Sequence, residues 1–117
     1  MRFDGKTAII TGSGRGIGLD AARLIASEGG NVVINDINSE CLENAKSSLV
    51  ASGAHVMSFL ADVTKEAEVN AMVHKTVDTY GQIDILINVV GGTYPSTKRL
   101  LDEITDDDWH NLMDINL

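Results

Sequence analysis

At 117 residues, 44% hydrophobic and 22% charged, the chain is one domain in length, with apolar surface enough for a core and no run near the roughly 18 apolar residues that span a bilayer. Its formal charge of −8, with acids gathered in "LDEITDDDW", would repel a phosphate backbone and argues against a nucleic-acid partner. One cysteine, Cys41, and three scattered histidines, His55, His74 and His110, leave no disulfide and no metal site to propose.

The opening "MRFDGKTAII" lacks the pattern of a signal peptide, so a cytoplasmic protein with no membrane association is expected. Residues 7–11, "TAIIT", form an apolar run leading straight into glycines, which reads as a buried strand ending in a tight turn. A helix follows, with Ile17, Ala21, Leu24 and Ile25 on one face and Gly29 and Gly30 as its stop. "NVVIND" is a second strand, and residues 39–52 a second helix with Leu42, Ala45 and Leu49 inward and Gly53 at its end.

"HVMSFLAD" is the third strand. Thr64 is the expected N-cap of a third helix, whose Val69, Met72, Val73, Val77 and Tyr80 share a face and which Gly81 closes before the strand "IDILINVV". The lone proline, Pro95, falls in the loop "GGTYPSTKR". A last helix starts at Thr105, where Thr105 and Asp108 make a capping box, and puts Trp109, Leu112, Met113 and Asn116 on one face.

Strands separated by helices of this length must be parallel with right-handed crossovers, so the fold class is α/β, a doubly wound parallel sheet of Rossmann type with strand order 3-2-1-4. The whole chain, 1–117, reads as one such domain without linker or repeat.

A strand that turns sharply into a helix needs small residues, and a pyrophosphate on that helix N-terminus needs the backbone close with its N–H groups free. Gly12, Gly14, Gly16 and Gly18 meet both needs in the pattern TGxxxGxG, although the literal GxGxxG fails at Ile17. Asp36 ends the second strand 18 residues after Gly18, where a carboxylate can accept hydrogen bonds from the adenosine ribose and would repel a 2′-phosphate. The cofactor this pattern selects is NAD rather than NADP, even with Arg15 in the loop.

At these residues the chain resembles the short-chain dehydrogenases/reductases. Four separated signals carry the resemblance: "TGSGRGIG", "ADV" at 61–63, "IDILIN" at 83–88 followed by Gly91, and Trp109 leading to Asn116. It implies that Gly12, Ser13, Arg15, Gly16, Ile17 and Gly18 wrap the pyrophosphate and nearby ribose, that Asp62 and Val63 hold the adenine, and that Asn88 and Gly91 support the cofactor from the fourth strand. The family's usual "NNAG" is "NVVG" here, with Val89 and Val90 in the middle places.

The resemblance further implies hydride transfer between nicotinamide and the carbonyl or alcohol carbon of a small-molecule substrate, with Asn116 matching the family's catalytic asparagine. Its catalytic serine and Tyr-xxx-Lys pair fall beyond Leu117, so the chain is expected to be the cofactor-binding half of the enzyme, inactive alone. Tyr80 belongs to an apolar helix face, and Tyr94 with Lys98 has the right spacing but Pro95 between them, which breaks a continuous helix. The fourth strand, left as an apolar edge, points to a homo-oligomer. Alternative readings are a non-catalytic dinucleotide-binding module and an inactive structural fragment.

Overall fold

The computed structural model describes residues 1–91 and 105–116. Its elements alternate: β1 (Thr7–Thr11), α1 (Gly16–Ser27), β2 (Asn31–Asp36), α2 (Ser39–Ala51), β3 (His55–Leu60), α3 (Glu66–Tyr80), β4 (Ile85–Asn88) and α4 (Asp106–Asn116). All strand pairs are parallel in the order β3-β2-β1-β4, as the sequence predicts, with Ile9 opposite Val33 on one side and Leu86 on the other.

Side chains alternate across a strand, so each central strand feeds two cores. Ala8, Ile10, Val32 and Ile34 point to one face and meet Ala22 and Ile25 of α1 and Leu42, Ala45 and Leu49 of α2. Ile9 and Val33 point to the other and meet Met72 of α3. That division makes the sheet doubly wound, and it explains why β1 is buried at every residue.

Several local expectations are corrected. In α1 the buried stripe is Gly18, Ala22 and Ile25, while Ile17 is 79% and Leu24 67% exposed. The cause lies at Gly18, where a Cβ would stand 2.7 Å from the Gly12 carbonyl oxygen and 2.8 Å from Ser13 Cα. Only glycine fits against that backbone, and seating it rotates the helix away from the stripe its larger residues would choose.

In α3, Met72 and Thr76 are buried and Val77 is exposed. Its N-cap is Lys65, not Thr64, because the Thr64 hydroxyl is bound to Asp62 instead. In α4 the buried residue is Asp108, and Trp109 and Met113 face outward. The capping box forms as expected, Asp108 N–H donating to Thr105 Oγ1 and Thr105 N–H to Asp108 Oδ2, both at 3.1 Å. Gly81, at φ +81°, ends α3.

β3 ends at Leu60, two residues short of expectation, because Asp36↔Leu60 is the last register pair that β2 offers. β4 is confined to Ile85–Asn88 for the same reason, its four residues matching Ala8–Thr11. Among the described residues no helix is long and apolar enough to cross a membrane.

Candidate nucleotide site

Because the four strands are parallel, their C-terminal ends share one edge of the sheet, and the loops that follow them converge there. The loop after β1 turns at Gly12, φ +62°, a backbone conformation that a side chain would strain. It delivers the chain to α1, whose N-cap Arg15 is extended and caps nothing with its side chain; no acid stands in the first turn. The helix therefore presents N–H groups and the positive end of its dipole to the loop, an arrangement that favours an anion.

Asp36 closes the adjacent wall. Its Oδ2 accepts the Gly14 N–H at 3.1 Å and its Oδ1 the Asn38 N–H at 3.0 Å, which locks the carboxylate across the glycine loop. A Cβ on Gly14 would stand 2.6 Å from that Oδ2. Each carboxylate oxygen keeps acceptor capacity beyond the bond it already makes.

The third wall is the segment after β3. Asp62 Oδ1 accepts both the Thr64 hydroxyl at 2.7 Å and the Thr64 N–H at 3.0 Å, and these bonds hold its carboxyl below the usual carboxylate range. The Asp62 N–H donates to Glu68 Oε1 at 3.2 Å, so the first turn of α3 anchors the same segment. Asp62 is thereby a fixed anion with one oxygen oriented by its own turn.

Between these walls lies a cleft of about 320 Å³. Of the residues singled out in the sequence, Gly12, Arg15, Asp36, Asp62, Val63 and Gly91 line it. Asn88 and Asn116 line a second cavity of about 250 Å³ next to it, and Val63, Val90 and Ile115 border both. Asn116 Nδ2 donates to the Leu112 carbonyl at 2.9 Å, and a Cβ on Gly91 would come within 2.8 Å of its Oδ1.

Ser13 and Gly18 sit beneath the loop rather than on its open side. Ser13 is fully buried; its hydroxyl donates to the Ile10 carbonyl at 2.6 Å and its N–H to the Asn35 carbonyl at 2.7 Å. Gly16, at φ +60°, and Ile17 are exposed at the start of α1. Val89 packs against the core with its N–H donated to Thr11 Oγ1 at 3.2 Å, so apolar packing occupies the place of the family's second asparagine. Tyr94 and Lys98 lie outside the described residues.

Sequence reasoning passed over Thr11, Asn35 and Glu68, which help hold the walls in place, and read Thr64 only as a helix cap. The available signal was Asn35, a polar amide inside the apolar strand run "NVVIND".

The family model for short chain dehydrogenase matches residues 6–117. The 2,3-dihydro-2,3-dihydroxybenzoate dehydrogenase of Bacillus subtilis is 38% identical over 114 residues, 97% of this chain and 42% of that protein. The solved structure of NAD+-bound xylitol dehydrogenase superposes with a TM-score of 0.90 at 33% identity, covering 98% of this chain and 44% of the other. An actinorhodin polyketide ketoreductase with NADPH superposes with a TM-score of 0.89 at 29% identity, covering 96% and 42%. The chain thus spans less than half the length of the relatives it matches.

Proposed function

The chain belongs to the short-chain dehydrogenase family, and from that premise we propose that its cleft binds a nicotinamide dinucleotide, NAD in preference to NADP, as the cofactor-holding part of an oxidoreductase acting on a carbonyl or alcohol. The observation that carries this reading is the Asp36 carboxylate, bound to the Gly14 N–H at the mouth of the glycine loop and facing the same cleft as Asp62. A ribose hydroxyl donates to such a carboxylate, whereas a 2′-phosphate would be a second anion held against it at close range. Arg15 also lines the cleft, but it is exposed and free to turn toward water, while Asp36 is fixed by its two backbone donors.

The residues present fit the group. The α1 N-terminus offers N–H donors and a positive dipole to the pyrophosphate, Asp36 would hold the adenosine ribose, and Asp62 with Val63 would border the base. Asn88 and Asn116 line the adjoining cavity, Gly91 lies against Asn116 at the border of the cleft, and the three would support the other half of the dinucleotide. When bound, the nicotinamide would give or take a hydride at the substrate carbon. The chain's own residues bind and orient: Asn116 has no proton to exchange near neutral pH, so its amide can only position a neighbour.

The test is calorimetric titration of the chain with NAD and with NADP, followed by the same titrations of Asp36→Ala. NAD should bind more tightly to the parent, and the variant should narrow the gap by about tenfold or more. Tighter binding of NADP to the parent would refute the choice of cofactor, and no binding of either would refute the nucleotide reading.

A further inference from the structure

Asn35 breaks the apolar run of β2 at a position only 1% exposed. Asparagine is a poor strand former, and its Oδ1 is buried without a protein hydrogen bond, a cost that valine at the same place would avoid. What the amide does with its other end offsets that cost. Nδ2 donates to the Phe59 carbonyl at 3.0 Å and to the Ala61 carbonyl at 3.2 Å.

The second of those bonds reaches past the end of the sheet. The β2–β3 register stops at Asp36↔Leu60, and Ala61 is the residue immediately before Asp62 and Val63. Meanwhile the Asn35 backbone grips the opposite wall, its N–H donating to Ser13 Oγ at 3.0 Å and its carbonyl accepting the Ser13 N–H at 2.7 Å. Ser13 is part of the glycine loop. One buried residue therefore joins the phosphate-facing loop to the base-facing wall, and it also borders the cleft between them.

We infer that Asn35 is a positioning residue for the adenosine half of the ligand, its amide setting the spacing between the glycine loop and residues 61–63; the inference rests on the nucleotide reading above. The geometry separates this role from a merely structural one. An apolar replacement leaves the Phe59 and Ala61 carbonyls without their donor and so costs stability in either case, but only a positioning role makes the folded variant bind the ligand more weakly.

Asn35→Val and Asn35→Thr test it, because neither side chain carries a donor as far out as the amide nitrogen. With AMP and NAD as probes in calorimetry, at a temperature where each protein is folded, both variants should bind about tenfold more weakly than the parent, and both should melt lower because the Phe59 and Ala61 carbonyls lose their donor. Amide exchange at Asp62 and Thr64, followed without ligand, should quicken in both.

Parent-like AMP affinity in the folded valine variant would overturn the inference and leave the nucleotide reading standing. Should the valine variant fail to fold, the threonine variant decides: weaker AMP binding by the folded protein supports the role, and unchanged binding overturns it. Failure of the parent to bind either probe would overturn the nucleotide reading itself, and this inference with it.

Discussion

Gly18→Ala is the substitution for which the structure gives the sharpest magnitude. The added Cβ would stand 2.7 Å from the Gly12 carbonyl oxygen and 2.8 Å from Ser13 Cα, about 0.7 Å inside ordinary contact. Both obstacles are backbone, so no side chain can swing aside. Nor can the loop retreat into the sheet, since Ser13 is already held from below by the Ile10 and Asn35 carbonyls. Either α1 shifts outward or the loop rises into the cleft. Overpacking of this kind costs about 1–3 kcal/mol. At roughly 4 °C per kcal/mol for a domain of this size, the melting temperature should fall by about 4–12 °C. Because the displaced groups are the ones proposed to meet the pyrophosphate, affinity for NAD should fall by at least about tenfold as well. Gly53→Ala is the control: its φ of +84° strains an alanine, but nothing lies within 4 Å of the added Cβ and the site is remote from the cleft. It should lower the melting temperature and leave NAD affinity alone. Calorimetry and thermal melts on both variants provide the comparison. A Gly18→Ala protein that binds NAD like its parent would refute the placement of the ligand on this loop.

Three further outcomes are expected. Asp84 accepts the Thr7 N–H at 2.9 Å, which holds its carboxyl below the ordinary range; a group depressed in the folded state adds stability above its unfolded value and loses it as pH falls through the folded one. Asp84→Asn should therefore flatten the decline of the urea midpoint below about pH 4, and an unchanged slope there would count against that assignment. The outer edge of β4, where Leu86 is 60% exposed, should drive the 117 residues to self-associate, and Leu86→Lys should weaken that association in sedimentation velocity; a sharp monomer at tens of micromolar, a concentration set by ordinary weak-dimer affinities, would contradict it. Finally, the 117 residues alone should not oxidise alcohols or reduce ketones with NAD or NADH in an absorbance assay, because losing a positioned acid or base costs about 10²–10⁴ in rate and Asn116 supplies neither; steady turnover would expose a proton donor not recognised here.

The alternation of strand and helix was legible because two periods differ plainly: "TAIIT" and "NVVIND" are continuous apolar runs, and Gly81 marks a helix end by its own backbone freedom. The strand order followed from the doubly wound pattern, in which the winding reverses after β3 and carries β4 to the far side of β1. Side-chain direction was less legible. Apolar count favoured Ile17 and Leu24 as the inner face of α1, and both are exposed, because contact between Gly18 and the Gly12–Ser13 backbone sets the rotation of the helix before hydrophobicity can. A contact between residues six apart, closed through a turn, leaves no mark in a 3.6-residue pattern.

The same physical cause hid Asn35. Its partners, Ser13, Phe59 and Ala61, lie more than 20 residues away in either direction, so the amide looks like a defect in a strand until the three chain segments are brought together. Both departures point to one place. Where this sequence breaks its local rules, by hiding a glycine face while exposing leucine or by burying an amide among valines, the backbone of the glycine loop is the reason, directly at Gly18 and through Ser13 at Asn35. Local propensity is overruled where a site needs backbone brought close and held still. A loop required only as a tight βα turn would demand no such concessions from β2 and α1 together, and their convergence on Gly12 and Ser13 is what a ligand-bearing loop predicts.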